Sequence, residues 1–192
     1  MMWWLANMTV RKMALIGILT AIAIVLSIAE SFIPSIGIPG VKIGLANIVI
    51  LIVLYEIGIK EAIFINLLRV VITGLVRGTF LSMGFLMSLT GAILSLSVMI
   101  LFYLLIKKFS IVSVSVVGSV FHVFGQIIIA MIFLGTGYIV FYFPLIALSA
   151  TIAGIFVGFV AQVIIKTGVV KKQLNRNSEE VIDTNSQEPD NN

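Results

Sequence analysis

Between Lys108 and Lys166 the chain carries no Asp, Glu, Lys or Arg, and the same holds from Gly78 to Ile106. Runs of that length decide the solvent. A water-soluble fold needs charge along its exposed faces, whereas a helix that crosses a bilayer needs about 20 consecutive, mostly apolar residues with charge at its ends. Of the 192 residues, 10% are charged and 60% hydrophobic, against roughly 25% charged in a typical soluble domain. The apolar stretch is followed by a short polar tail, which leaves room for one membrane domain and no soluble domain of ordinary size.

The charged positions divide the chain into six apolar segments. The first, Met13 to Ile33, follows Arg11 and Lys12; it is longer than the core of a signal peptide and lacks a small-residue cleavage site before Pro34, so it reads as a retained helix. Trp3 and Trp4 fit an interfacial anchor before it. After the Pro- and Gly-rich stretch Pro34 to Gly44, helix two is expected at about Ile43 to Ile57, with Glu56 to Glu61 as a charged turn. Helix three is expected at Ala62 to Val76, helix four at Met83 to Ile106 and helix five at Ile111 to Leu134. The aromatic loop Tyr138 to Phe143 leads into helix six, which ends before Lys166. Helices two and three are short for a full span, which calls for little tilt or for loop residues that pack back into the bundle. The expected organisation is an anchor over 1–12, a six-helix membrane domain over 13–168 and a polar tail over 169–192. The end of that tail, Asn175 to Asn192, has too little apolar surface to offset ordering.

Basic residues are retained on the cytoplasmic side during insertion. With the N-terminus inside, Arg11, Lys12, Lys60, Lys107, Lys108, Lys166, Lys171, Lys172 and Arg176 are cytoplasmic, while Lys42 and Arg77 lie outside. Both termini are then inside. The same placement accounts for the net charge of +4 without a nucleic-acid partner, because the basic residues flank apolar segments and form no stripe with interleaved aromatics.

Several functions are excluded by what the sequence lacks. With no Cys there is no disulfide framework and no thiolate nucleophile, and a single His falls short of the three or four ligands zinc takes. No Gly-x-x-x-x-Gly-Lys-Ser/Thr loop occurs, so ATP hydrolysis by a P-loop is ruled out and such energy has to come from a partner. No Asp-rich cluster of the kind that holds magnesium for prenyl-diphosphate chemistry is present. Neither a metal nor a cofactor is expected, and no catalytic residue stands out.

Polar residues inside the apolar segments carry the functional information, because a charge at membrane depth costs at least about 2.5 kcal/mol by insertion scales. On helix three, Asn66, Arg69, Thr73 and Arg77 fall within an arc of roughly 80° at 100° per residue. On helix five, Ser115, Ser119, His122 and Gln126 fall within roughly 60°. Glu30 lies near the end of helix one, Lys42 in the following loop and Asn47 on helix two. Two readings compete: interhelical hydrogen bonds that tie the bundle, or convergence on one outward-facing cavity. Under the second, Lys42, Arg69 and Arg77 favour an anionic ligand such as a phosphate or diphosphate. Glu30 orients Arg69 or binds a donor group, and Asn47, His122 and Gln126 supply neutral contacts. Small residues recur every four positions at Gly17 and Ala21, and at Ala150, Gly154 and Gly158, which permits close helix approach.

The run Pro39-Gly40-Val41-Lys42-Ile43-Gly44-Leu45-Ala46-Asn47 after a Glu-bearing first helix, then Arg69, Gly78-Thr79-Phe80 and His122-x-x-Gly125-Gln126, resembles the Gx transporter family, whose members are also labelled heptaprenyl diphosphate synthase component I. The resemblance covers about Arg11 to Ile165. The family is similar in architecture to the substrate-capture, or S, components of energy-coupling factor transporters. That resemblance implies an all-α integral membrane fold of six transmembrane helices in a bacterial cytoplasmic membrane. It also implies a small-molecule ligand and, as partners, a transmembrane coupling subunit with its ATPases. A small-residue motif on helix one docks the coupling subunit in that family. Gly17-x-x-x-Ala21 is the matching position, with Gly where the usual motif has Ala. The expected function is therefore ligand capture for an importer of an anionic or an isoprenoid-, quinone- or flavin-related molecule. The synthase label implies instead a non-catalytic accessory of heptaprenyl diphosphate and menaquinone synthesis, and gene association in relatives implies a factor in flavin- or quinone-linked extracellular electron transfer.

Overall fold

A computed structural model describes residues 10–32, 44–105, 109–168, 170 and 172, with the Arg11 side chain left out. Trp3, Trp4, Lys42, Lys107, Lys108, Lys171 and Arg176, the loop 33–43 and the polar tail lie outside the described residues. The described residues form six α-helices: α1 (Val10–Glu30), α2 (Asn47–Glu56), α3 (Ile59–Val76), α4 (Met83–Leu105), α5 (Ile111–Leu134) and α6 (Phe143–Thr167). A 3-10 helix, Gly137–Tyr142, precedes α6. No strand occurs among them.

The distribution of side chains is inverted relative to a soluble protein. Ile18 and Val25 on α1, Leu104 and Leu105 on α4, Ile132 and Phe133 on α5, and Phe156 and Phe159 on α6 stand exposed, while Asn66, Arg69 and Gln126 are buried. An apolar surface this extensive is stable in lipid and a liability in water. Four segments are long and apolar enough to cross a membrane: Lys12–Glu30, Met83–Leu105, Ile111–Leu134 and Gly137–Thr167.

The second segment departs from expectation. Expected as a span from Ile43 to Ile57, α2 has 10 residues, about 15 Å of helix and half the hydrocarbon thickness. Its start is set back because Gly44, Leu45 and Ala46 form a turn: Asn47 N donates to Gly44 O at 2.9 Å and Ile48 N to Leu45 O at 3.1 Å. Its end is fixed at Gly58, whose φ of 151° with ψ of 170° is open essentially to glycine alone. Hydropathy does not register the late start, because Ile43 and Leu45 are apolar too. The helix is apolar all round, and Asn47 and Val49 to Leu54 are buried, as a helix surrounded by protein demands. It packs between α3 and α6, with further contacts to α1 and α5. At 18 residues with Lys60, Glu61 and Arg69, α3 starts three residues before its expected limit because its first turn accepts the charges read as a loop.

The most extensive helix contacts run from α4 to α5 and from α5 to α6. Lipid is as apolar as leucine, so these contacts are stabilised by close packing rather than by the hydrophobic effect. A Cβ on Gly125 would lie 3.0 Å from the Gly91 backbone, and one on Gly91 would lie 2.7 Å from His122 O, so α4 and α5 cross nearly backbone to backbone. Gly154 and Gly158 of α6 meet Val116 and Val112 of α5 in the same way. Away from this sub-bundle, Lys12 of α1 and Glu61 of α3 form an ion pair at 2.5 Å. The opposite end of α1 carries Ser27 and Glu30.

Candidate functional site

Arg69 sits in the interior of α3, 4% exposed, where three helices converge on its guanidinium. Nε donates to Asn66 Oδ1 at 3.1 Å, and Nη2 donates to the same oxygen at 2.9 Å. Nη2 also donates to Asn47 Oδ1 on α2 at 3.2 Å, and Nη1 to Ser27 Oγ on α1 at 3.2 Å. Asn66 is itself held by its Nδ2, which donates to the Ala92 carbonyl of α4 at 2.9 Å. The one-turn spacing of Asn66 and Arg69 puts the amide oxygen beside the guanidinium, and the bond to α4 fixes which way that oxygen points.

Every hydrogen-bond partner of Arg69 among the described residues is neutral. A guanidinium carries five N–H donors; these four bonds use four, and one hydrogen on Nη1 has no partner among the described residues. The Glu30 carboxylate lies within electrostatic range of Arg69 and accepts from Gly44 N, while Ser27, Asn47 and Asn66 hold the guanidinium by hydrogen bonds. Among the described residues the cation makes no direct ion pair, an arrangement that retains affinity for an anion.

A partly open cavity of about 140 Å³, counted as room for the centres of water molecules, lies against this group. Such a volume corresponds to about five waters. Its walls include Ser27 and Glu30 of α1, Gly44 ahead of α2, Arg69 and Thr73 of α3, Phe85 and Ser88 of α4 and His122 of α5, together with Arg77 and Thr79. Arg77 is exposed where Arg69 is buried, so one cation stands at the rim and one at depth on the same helix face. Drug-sized pockets are larger, about 300 to 1,000 Å³.

His122 reaches the cavity from α5, and its Nε2 is 3.1 Å from Gln126 Nε2. Gln126 is fully buried and is not part of the cavity wall; it orients the imidazole. Gly91 of α4 makes room for the ring, since a Cβ there would be 3.2 Å from His122 Cε1. Of the residues expected at the site, Glu30, Arg69, Arg77 and His122 line one cavity, Asn47 and Gln126 stand one bond behind it, and Lys42 lies outside the described residues. Gly17 and Ala21 lie on the exposed face of α1, and nothing lies within 4 Å of a Cβ placed at Gly17.

The structure adds Ser27 and Ser88 to the residues singled out in the sequence, places Thr79 of the Gly78-Thr79-Phe80 run in the cavity wall, and assigns Asn66 the central positioning role. The arc on helix three identifies Asn66, whereas Ser27 is one of several serines in apolar segments and carries no signal of its own. Among the described residues no three His, Cys, Asp or Glu side chains stand together to hold a metal ion.

Fold and cavity together define a helical membrane protein with a buried, cation-bearing polar site. The chain belongs to the family described as heptaprenyl diphosphate synthase component I, which matches residues 19–164. No curated protein and no solved structure matches it at a significant level.

Proposed function

We propose that the protein is a ligand-capturing membrane subunit of an energy-coupling-factor-type importer, and that its ligand is a small anion or the anionic headgroup of a larger molecule. The observation that carries this reading is Arg69: a buried guanidinium beside a cavity, positioned by three neutral side chains, with one N–H unused among the described residues. A purely structural arginine is ordinarily paired with a carboxylate or saturated with carbonyls. In the proposed arrangement all six helices form the membrane domain with both termini inside, and the bias of Lys and Arg toward the Lys12 end turns the Arg77 end of the cavity outward. Energy for transport comes from a coupling subunit and its ATPases, since the chain has no nucleotide loop of its own.

The family description supports a second reading, a non-catalytic membrane accessory of heptaprenyl diphosphate synthesis. Both readings place a phosphate-bearing group at Arg69 and differ in the partner. The test is purification from the native membrane in mild detergent, with mass spectrometry of the small molecules and proteins that accompany the chain. A phosphorylated or otherwise anionic molecule lost on Arg69→Ala, together with a coupling subunit, is the expected result. A chain accompanied by prenyl synthase subunits alone contradicts the importer reading and favours the accessory.

A further inference from the structure

We infer that Thr73 is a direct ligand contact that helps set specificity at this cavity, an inference that rests on the anion-site reading of Arg69. Thr73 lies one helical turn from Arg69 and one from Arg77 on the same face of α3 and lines the same cavity. It is 5% exposed, and its Oγ1 is buried with no hydrogen-bond partner among the described residues.

Hydroxyls inside the helices divide into a bonded and an unbonded group among the described residues. A hydroxyl inside a helix has a ready acceptor in the carbonyl four residues earlier, and others here use it. Thr20 Oγ1 bonds Ile16 O at 2.7 Å, Thr151 Oγ1 bonds Ala147 O at 2.8 Å and Ser88 Oγ bonds Gly84 O at 2.9 Å. Three other buried hydroxyls, on Ser95, Ser115 and Ser119, also lack a partner, but they pack against Gly118, Gly158 and Gly154 where helices touch. Thr73 is the one of these four whose surroundings are a cavity.

A buried hydroxyl without a partner, on a residue that lines the cavity, is available to bond something that arrives. Its reach is short, so the ligand oxygen it meets has to come down onto the surface of α3 between the two arginines. Arginine side chains extend from positions about 12 Å apart along the helix axis and accommodate many poses; the threonine selects among them. The ligand class is an anion with acceptor oxygens on more than one group, such as a diphosphate or a phosphorylated hydroxy compound, rather than a lone carboxylate.

The test uses the full chain in lipid nanodiscs with radiolabelled inorganic diphosphate as the probe, comparing wild type, Thr73→Val, Thr73→Ser and Arg69→Gln. Valine keeps the shape and removes the hydroxyl; serine keeps the hydroxyl. The expected result is at least about tenfold weaker binding for Thr73→Val, as for loss of a bond to a charged acceptor, with Thr73→Ser within twofold of wild type. Thr73→Val also raises the thermal midpoint of the ligand-free protein, because it removes a buried group with no partner. A merely structural threonine would not move affinity and stability in opposite directions. Wild-type affinity in Thr73→Val with binding lost in Arg69→Gln overturns the role of Thr73 and leaves the anion site standing. Absence of binding in wild type refutes the diphosphate site and the role of Thr73 with it.

Discussion

Asn47→Asp separates the charge of the site from its packing. Asn47 Oδ1 accepts from Arg69 Nη2 at 3.2 Å, while its Nδ2 is buried and has no partner among the described residues. Replacing that amide by a carboxylate therefore sacrifices no hydrogen bond. It creates a buried ion pair with Arg69 and puts negative charge on the first residue of α2, where the helix dipole favours it by about 0.3 to 1 kcal/mol. The ligand-free protein becomes more stable. Binding moves the other way, because an anion on the unused Nη1 hydrogen lies about 7 Å from the new carboxylate, and two unit charges at that distance repel by about 2 kcal/mol at an effective dielectric of about 20. That repulsion amounts to roughly 30-fold weaker binding per unit of ligand charge. The assay is diphosphate binding to nanodisc-embedded protein together with thermal unfolding, with Asn47→Leu as the uncharged control. Affinity within threefold of wild type for Asn47→Asp would refute the assignment of Arg69 as the anion's partner. A lower midpoint would refute the geometry drawn around Asn47.

Other substitutions test the scaffold. Gly125→Ala forces a methyl to 3.0 Å from the Gly91 backbone and is expected to destabilise by about 1 to 3 kcal/mol. Gly17→Ala meets open space and is expected to be neutral or mildly stabilising in detergent unfolding; equal losses for the two would contradict the α4–α5 crossing. Gly58→Ala places a Cβ 2.8 Å from Glu61 Oε2 at a φ of 151° and should cost about 1 to 3 kcal/mol, read as a lower unfolding midpoint. Lys12→Glu and Glu61→Lys each weaken the bundle, and the double exchange restores about 1 kcal/mol; additive losses in that double-mutant cycle would show that the ion pair does not couple α1 to α3.

The legible parts of this fold are those with chemical punctuation. The observed α5 has the limits expected from sequence, because Ser110 Oγ accepts from Ser113 N at its start and Gly135 stands in the left-handed region at its end. Helix one was expected to continue to Ile33, but Ser31 and Phe32 fold into a turn whose apolar composition hides the stop. The shortening of α2 is hidden for the same reason. At the site, helical spacing groups Asn66, Arg69, Thr73 and Arg77, and the four-residue step pairs His122 with Gln126. Spacing does not tell which residues on other helices meet them. Glu30 turns to Gly44 N, Ser27 turns to Arg69, and Asn66 is anchored by the Ala92 carbonyl, a backbone group that side-chain chemistry in the sequence does not reveal.

The most direct measurement of the central claim is an experimental structure of the protein purified with its native ligand. The account predicts an anionic group in the cavity, hydrogen-bonded to Arg69 Nη1 and within reach of Thr73 Oγ1. A ligand bound elsewhere, with Arg69 turned into a direct ion pair with Glu30, would contradict it.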